Sequence, residues 1–396
     1  MKNKVLIHCS LLALASSLLA ACGKEAPKPA ASAAPAPVAV EAPVAVKLGF
    51  AAPLTGPQAH YGKEMQNGIV LALDEINAEK IKIGGKAVKF ELLSEDDQAD
   101  PKQGAVVAQK LADAKIQGML GHFNSGTSIP ASRVYAEAGI PQIAMATSPQ
   151  YTAQGFKTTF RAMTSDTQQG GVMGSFAVGK LQAKAIAIID DRTAYGQGLA
   201  DEFEKAVKAA GGNVVKREFT NDKAVDFRAI LTSIKKANAD LIFFGGADAQ
   251  GGTMVAQMRE LGVKAQFVGG EMLKSPKFIE LAGPSAEGTI ALLAGLPLDK
   301  MPGGPGYATK YKAKFNAEVE IYSPYSYDAT RVMVAAMQRA DSTEPAKYLP
   351  ELAKTKQAGI TSANIEYDEK GDLKAGGITV YQVQKGAWVV LETAGM

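Results

Sequence analysis

Residues 185–215 read AIAIIDDRTAYGQGLADEFEKAVKAAGGNVV. Ala185–Ile189 is a continuous apolar run of strand length, the pattern of a strand covered on both faces. Gln197–Ala210 carries apolar residues at helical spacing, and Val214-Val215 opens a second strand. Strand, polar loop, helix and strand in that order predict a parallel pair joined by a right-handed crossover. The same unit recurs on either side. Strands are expected at 46–50, 88–92, 118–120, 142–145, 241–244, 266–268 and 290–293, with helices at 64–77, 101–114, 227–237 and 250–261. The alternation restarts after Phe160-Arg161 and breaks down after about Gly295, which divides an open α/β architecture into two lobes. Beyond a Gly/Pro loop at 302–306 come helical segments at 307–316, 325–340 and 345–354, then strands at 365–367, 379–383 and 388–391.

The chain has 396 residues, 46% apolar and 21% charged, long enough for two or three domains of roughly 150 residues. Lys and Arg number 43 against 40 Asp and Glu, with the signs mixed along the chain, so the basic stripe of a nucleic-acid protein is missing. Residues 1–21 read as an export signal: Lys2 and Lys4 precede an apolar Val5–Ala15 run too short to span a bilayer. Leu19-Ala20-Ala21-Cys22 follows and resembles the lipobox of bacterial lipoproteins, in which Cys22 would be lipidated. Residues 22–46 are then a lipidated cysteine and an Ala/Pro-rich tether of extended, polyproline-like character. Both cysteines, Cys9 and Cys22, lie in this leader, so the folded body has no thiol for a disulfide, a metal or nucleophilic catalysis.

Ligands of open α/β sheets bind at the carboxyl ends of the strands, so the polar residues there carry the chemistry. After Met119-Leu120 comes Gly121-His122-Phe123-Asn124-Ser125-Gly126-Thr127-Ser128, leading into a helix near Pro130. Hydroxyls and free N–H groups at that helix start suit a carboxylate, or else Ser125, Thr127 or Ser128 simply caps the helix. Ala146-Thr147-Ser148 repeats the pattern after the next strand, Tyr195 sits at a loop tip, and Glu271 is either a partner for an ammonium group or a solvated surface residue. The acidic run Glu95-Asp96-Asp97 with Asp100 does not match a calcium loop and reads as a solvated loop. Enzyme signatures are scarce. Gly174–Lys180 lies inside an expected helix and has Leu181 in place of the metal-binding hydroxyl of a P-loop, and a Ser125/His122 hydrolytic pair has no assured contact.

Leu54-Thr55-Gly56-Pro57 with Tyr61-Gly62, then Asp96-Asp97-Gln98-Ala99-Asp100-Pro101, Gly121-His122, Tyr195-Gly196-Gln197-Gly198-Leu199-Ala200, Gly245-Gly246 and Asp368–Leu373 resemble the branched-chain amino-acid binding proteins of bacterial ABC transporters. The resemblance runs from Val46 to the C-terminus. It implies a type I periplasmic-binding-protein fold in which the chain crosses a hinge three times, with residues 47–165 and 296–377 in lobe 1 and 166–295 and 378–396 in lobe 2. It further implies an extracytoplasmic, monomeric, non-enzymatic protein that needs no cofactor or metal and hands an aliphatic amino acid to an inner-membrane permease. Family contacts fall on Ser125 and the Thr147 backbone for the α-carboxylate, and on the Met145 carbonyl, the Thr147 hydroxyl and Glu271 for the ammonium, beside Ala146. Tyr61, Tyr195 and Tyr322 occupy positions where the family packs aromatics around the ligand. Ala247 stands where leucine-type members carry a tyrosine, and Gln98 and Asn124 occupy the family's disulfide positions. A sensor module of the same fold, binding an amide or another small zwitterion, is the alternative reading.

Overall fold

The computed structural model describes residues 42–374 and 376–394, so the export signal, Cys22 and most of the tether lie outside the described residues. Six strands form the first sheet: β1 (Val44–Ala52), β2 (Lys82–Ile83), β3 (Lys86–Asp96), β4 (Gly118–Gly121), β5 (Gln142–Ala144) and β6 (Thr159–Arg161), in the order β2-β3-β1-β4-β5-β6. All neighbours are parallel except the β2–β3 hairpin. The second sheet collects β7 (Ile186–Asp190), β8 (Val214–Phe219), β9 (Leu241–Gly245), β10 (Gln266–Gly269) and β11 (Ile290–Ala294). After the short pair β12 (Lys356–Gln357) and β13 (Ile365–Glu366), it is completed by the antiparallel β14 (Ile378–Gln384) and β15 (Ala387–Ala394), in the order β15-β14-β11-β10-β9-β7-β8.

Helices cover both faces. The first sheet carries α1 (Ala59–Ala78), α2 (Pro101–Asp113), α3 (Ser125–Glu137) and the single turn α4 (Gln150–Ala153). The second carries α5 (Asp166–Gly179), α6 (Ala194–Ala209), α7 (Arg228–Lys236), α8 (Asp248–Glu260) and α9 (Pro276–Ala282). The chain then returns to the first lobe as α10 (Gly304–Phe315), α11 (Ser323–Arg339) and α12 (Pro345–Ala353), with α11 packed on α1 and β4. It therefore passes between lobes three times: after β6, after β11 and before β14. Every residue of β7, β9 and β11 is buried, as a parallel strand between two helical layers requires.

Four local expectations are corrected. First, β1 begins at Val44, inside the stretch assigned to the tether, because Val46, Leu48 and Phe50 alternate into the core from that point. Second, the acidic run is no solvated loop. The pairing of β3 with β1 continues to Asp96, whose carboxylate accepts the Leu54 N–H at 2.8 Å, while Asp97 is buried against Nδ1 of His122 at 2.7 Å. Third, α3 starts at Ser125 and not near Pro130. Fourth, Tyr195 is a buried member of the first turn of α6, which Thr193 caps through the Gly196 N–H at 2.9 Å.

One buried charge and one glycine set the positions of the loops at the strand ends. Arg161, fully buried at the end of β6, donates to the carbonyls of Ala146 and Ser148, to Thr152 and to Asp372, the last at 2.7 Å. It thus ties the 146–148 loop to the segment that leads into β14. Gly121 ends β4 at φ +107°, where a Cβ would lie 2.5 Å from the Ala51 carbonyl oxygen, so only glycine lets the chain turn there against β1. Replacing Arg161 with alanine strips donors from Asp372 and two strand-end carbonyls. We expect urea denaturation to show a loss of about 3–5 kcal/mol, the scale of breaking a buried ion pair. A loss below about 1 kcal/mol, the size of one ordinary hydrogen bond, would show that the loop does not depend on it.

Candidate functional site

The carboxyl ends of both sheets face one cleft between the lobes, and most of the residues singled out in the sequence meet there. From the first lobe come Tyr61 on α1, Ser125 at the first position of α3, Met145 and Thr147 after β5, and Tyr322 just before α11. From the second come Tyr195 on α6, Ala247 after β9 and Glu271 after β10. All are buried. Tyr61 crosses between lobes, its hydroxyl donating to the Met272 carbonyl at 2.6 Å, and its ring meets Tyr322 edge-on at 5.5 Å. Phe123, absent from the sequence-based set, completes this aromatic group at 4.8 Å from Tyr322. Ala146 is the exception: its methyl packs with Ala144 and Tyr151 behind β5 and its carbonyl is taken by Arg161, so the chain's alternation turns it away from the cleft.

The helix start behaves as an open site and not as a capped one. No side chain caps α3; the Thr127 hydroxyl donates to the Asn124 carbonyl at 3.0 Å, and the Ser128 hydroxyl is buried without a partner. Ser125 Oγ accepts the Ser148 N–H at 3.2 Å, joining the two hydroxyl-bearing strand ends. His122 is held between Asp97 and the Tyr135 hydroxyl, the latter at 3.1 Å, so it is not paired with Ser125. Tyr322 is placed by Glu64, a buried carboxylate on α1 that accepts the N–H groups of Ile321, Tyr322 and Ser323 at 2.9, 3.0 and 3.3 Å. This anion at the start of α11 satisfies donors that the helix leaves free.

Across the cleft lie two carboxylates of a different kind. Glu271 is buried and accepts one hydrogen bond, from the Tyr195 hydroxyl at 3.1 Å. Asp166, the first residue of α5, is fully buried, and its oxygens are without a hydrogen-bond partner among the described residues. Burial pushes the Asp166 carboxyl well above the usual carboxylate range, offset only in part by the nearby Thr147 hydroxyl and the Arg161 charge. Burial does the same to Glu271, reinforced by the like charge of Asp166. The sequence-based set lacks Asp166, although the signal was available: it follows β6 just as Thr147 follows β5. Behind the cleft, His60 of the first lobe meets Asp248 of the second at 3.0 Å. Among the described residues no group of three or more His, Cys, Asp or Glu is arranged to hold a metal ion, and no helix is long and apolar enough to cross a membrane.

The family model for periplasmic binding proteins matches residues 45–387. The chain belongs to that family. Its relatives include a Leu/Ile/Val-binding protein homolog of Brucella suis, 38% identical over 343 residues that cover 86% of this chain and 91% of the relative. Among solved structures, the leucine binding protein LivK of Thermotoga maritima aligns with a TM-score of 0.82 at 27% identity, covering 88% of this chain and 99% of its own. LivJ of Streptococcus pneumoniae, solved in complex with isoleucine, aligns with a TM-score of 0.79 at 26% identity over 89% and 99%. The two sheets and three crossings are those of a type I periplasmic binding protein.

In this periplasmic binding protein the raised carboxyls carry a definite sign. A pKa above the unfolded value near 4 means that the folded state loses stability as pH rises from about 4 and the buried group is forced to ionise. In protein stripped of bound small molecules, Glu271→Gln and Asp166→Asn should therefore raise the melting temperature over the parent, with a larger gain at about pH 8 than at about pH 5. Equal gains at the two pH values in a differential scanning experiment would remove ionisation as the cause.

Proposed function

We propose that this chain is the lipid-anchored, extracytoplasmic substrate-binding protein of an ABC importer, and that it captures a branched-chain or related aliphatic amino acid between its lobes. The observation that carries the reading is the polarity of the cleft. On one side lie the uncapped start of α3 with the hydroxyls of Ser125 and Ser128, and on the other the carboxylates of Glu271 and Asp166, which form no ion pair among the described residues. A zwitterion presents an anion to the first and a cation to the second, so each buried charge gains its partner on binding. Ser125 and the Thr147 N–H take the α-carboxylate. The Met145 carbonyl, the Thr147 hydroxyl and Glu271 take the ammonium, with Asp166 adding negative charge at the same end. Tyr61, Tyr195, Tyr322 and Ala247 enclose the side chain.

Support for the amino-acid class comes from the relatives' names and from the isoleucine held by the Streptococcus pneumoniae protein. The lobes, 47–165 with 296–377 and 166–295 with 378–396, close by rotation about the three crossings, and binding shifts the balance toward the closed form. That form brings Tyr61 to Met272 and His60 to Asp248, and the permease reads it from outside. The lipid on Cys22 and the Ala/Pro tether keep the body near the membrane.

Calorimetric titration of the refolded body, residues 42–396, against the twenty amino acids tests the ligand class. We expect binding of leucine, isoleucine or valine, and a loss of about 2–4 kcal/mol on Glu271→Ala, the scale of leaving a desolvated charge unpaired. An unchanged dissociation constant would remove Glu271 from the site. In cells, Cys22→Ala should move the protein from the membrane to the soluble fraction; retention on the membrane would overturn the anchor.

A further inference from the structure

Past Ala247 the cleft does not end. A cavity of about 470 Å³ opens there, walled by Tyr195, Ala247 and Met272 on the side of the proposed ligand and by Asn124, Asp191 and Asp222 on the far side. That volume lies in the range of complete small-molecule pockets, about 300–1,000 Å³. It equals the share of about sixteen liquid waters, far more than a four-carbon side chain displaces. Ala247 contributes only a methyl to the cavity wall, where an aromatic ring would fill part of that space.

The far wall offers acceptors. Asp191 is buried at 4% exposure, and its Oδ1 accepts the Thr193 N–H at 2.9 Å and the Thr193 hydroxyl at 2.6 Å, while its Oδ2 accepts none of the described hydrogen bonds. Asn124 donates its amide to Gln58 at 2.7 Å and leaves its Oδ1 buried without a partner. Arg192 also lines the cavity, with its guanidinium held by Asp190 at 3.6 Å and stacked on Phe219 at 4.0 Å. Burial pushes the Asp191 carboxyl up to about 6, with Asp222 and Asp190 adding like charge.

We propose that this cavity is a side-chain subsite for a basic amino acid, whose stem passes Ala247 and whose ammonium or guanidinium meets Asp191, Asp222 and the free oxygen of Asn124. This rests on the zwitterion site proposed above and widens its ligand class beyond aliphatic residues. The α-amino and α-carboxylate groups stay where an aliphatic ligand puts them. A guanidinium supplies five donors in a planar fork, an ammonium three, and the far wall has acceptors for them.

Titration of the refolded body with L-leucine, L-lysine, L-ornithine and L-arginine separates the possibilities. We expect leucine and at least one basic amino acid to bind. The ratio of basic to leucine affinity should fall at least tenfold in Ala247→Tyr, which blocks the passage, and about tenfold in Asp222→Asn, whose exposed position leaves folding intact as checked by melting temperature. Leucine binding with no basic ligand overturns the subsite and leaves the zwitterion site standing. Binding of neither class overturns the zwitterion site itself. Binding of basic ligands with the ratio unmoved in both variants places their side chains elsewhere and overturns the assignment of this cavity.

Discussion

A carboxylate taken out of water without a cation is costly, several kcal/mol even after relaxation, and this fold holds two of them at one cleft. Asp166 and Glu271 reach it from different elements, the start of α5 and the end of β10, and among the described residues neither forms an ion pair with a lysine or arginine, the Arg161 charge offsetting Asp166 only in part. Much else in the molecule is arranged around that constraint. Opposite them stands a helix start with no side-chain cap, and between them lie hydroxyls and aromatic faces instead of basic side chains. A cleft built this way is incomplete in charge until something dipolar enters it.

The same chain also shows what finished buried charges look like. Glu64 receives several backbone N–H groups and the Ser323 hydroxyl, Asp97 is clasped by His122, and Arg161 has four acceptors. Each joins distant segments: Glu64 links α1 to the start of α11, Asp97 links β3 to the loop after β4, and Arg161 links β6 to the approach to β14. These charges hold backbone in place and already have partners within the fold. The distinction between the two sets is one of hydrogen-bond satisfaction and not of burial, since both are buried to the same degree.

Joining the lobes through three crossings has a mechanical meaning. Contacts such as Tyr61 to Met272 and His60 to Asp248 are made across the cleft, so they exist only while the lobes are together. Their partners lie on rigid elements, α1 and α8 among them, so a small rotation at the crossings makes or breaks them as a group. Asp166 and Glu271 both belong to the second lobe, so the buried carboxylates face these inter-lobe contacts from one side.

The α/β alternation was legible in the sequence because it rests on local periodicity. Ile186–Ile189 and Leu241–Phe244 are apolar without interruption since helices cover both faces of their strands, and that pattern is present before any tertiary contact forms. The strand-end rule also located Ser125, Thr147, Tyr195 and Glu271, whose place depends only on which strand precedes them. What only the tertiary structure decided is which polar groups are matched. Glu95-Asp96-Asp97 looks like a solvated run until β3 pairs with β1 as far as Asp96 and carries Asp97 to His122. Asp166 looks like an ordinary first-turn acid until the second lobe buries it beside Glu271. Charge satisfaction is a property of partners distant in sequence, so periodicity reports the frame and the packing of the two lobes determines which of its charges are left for a ligand.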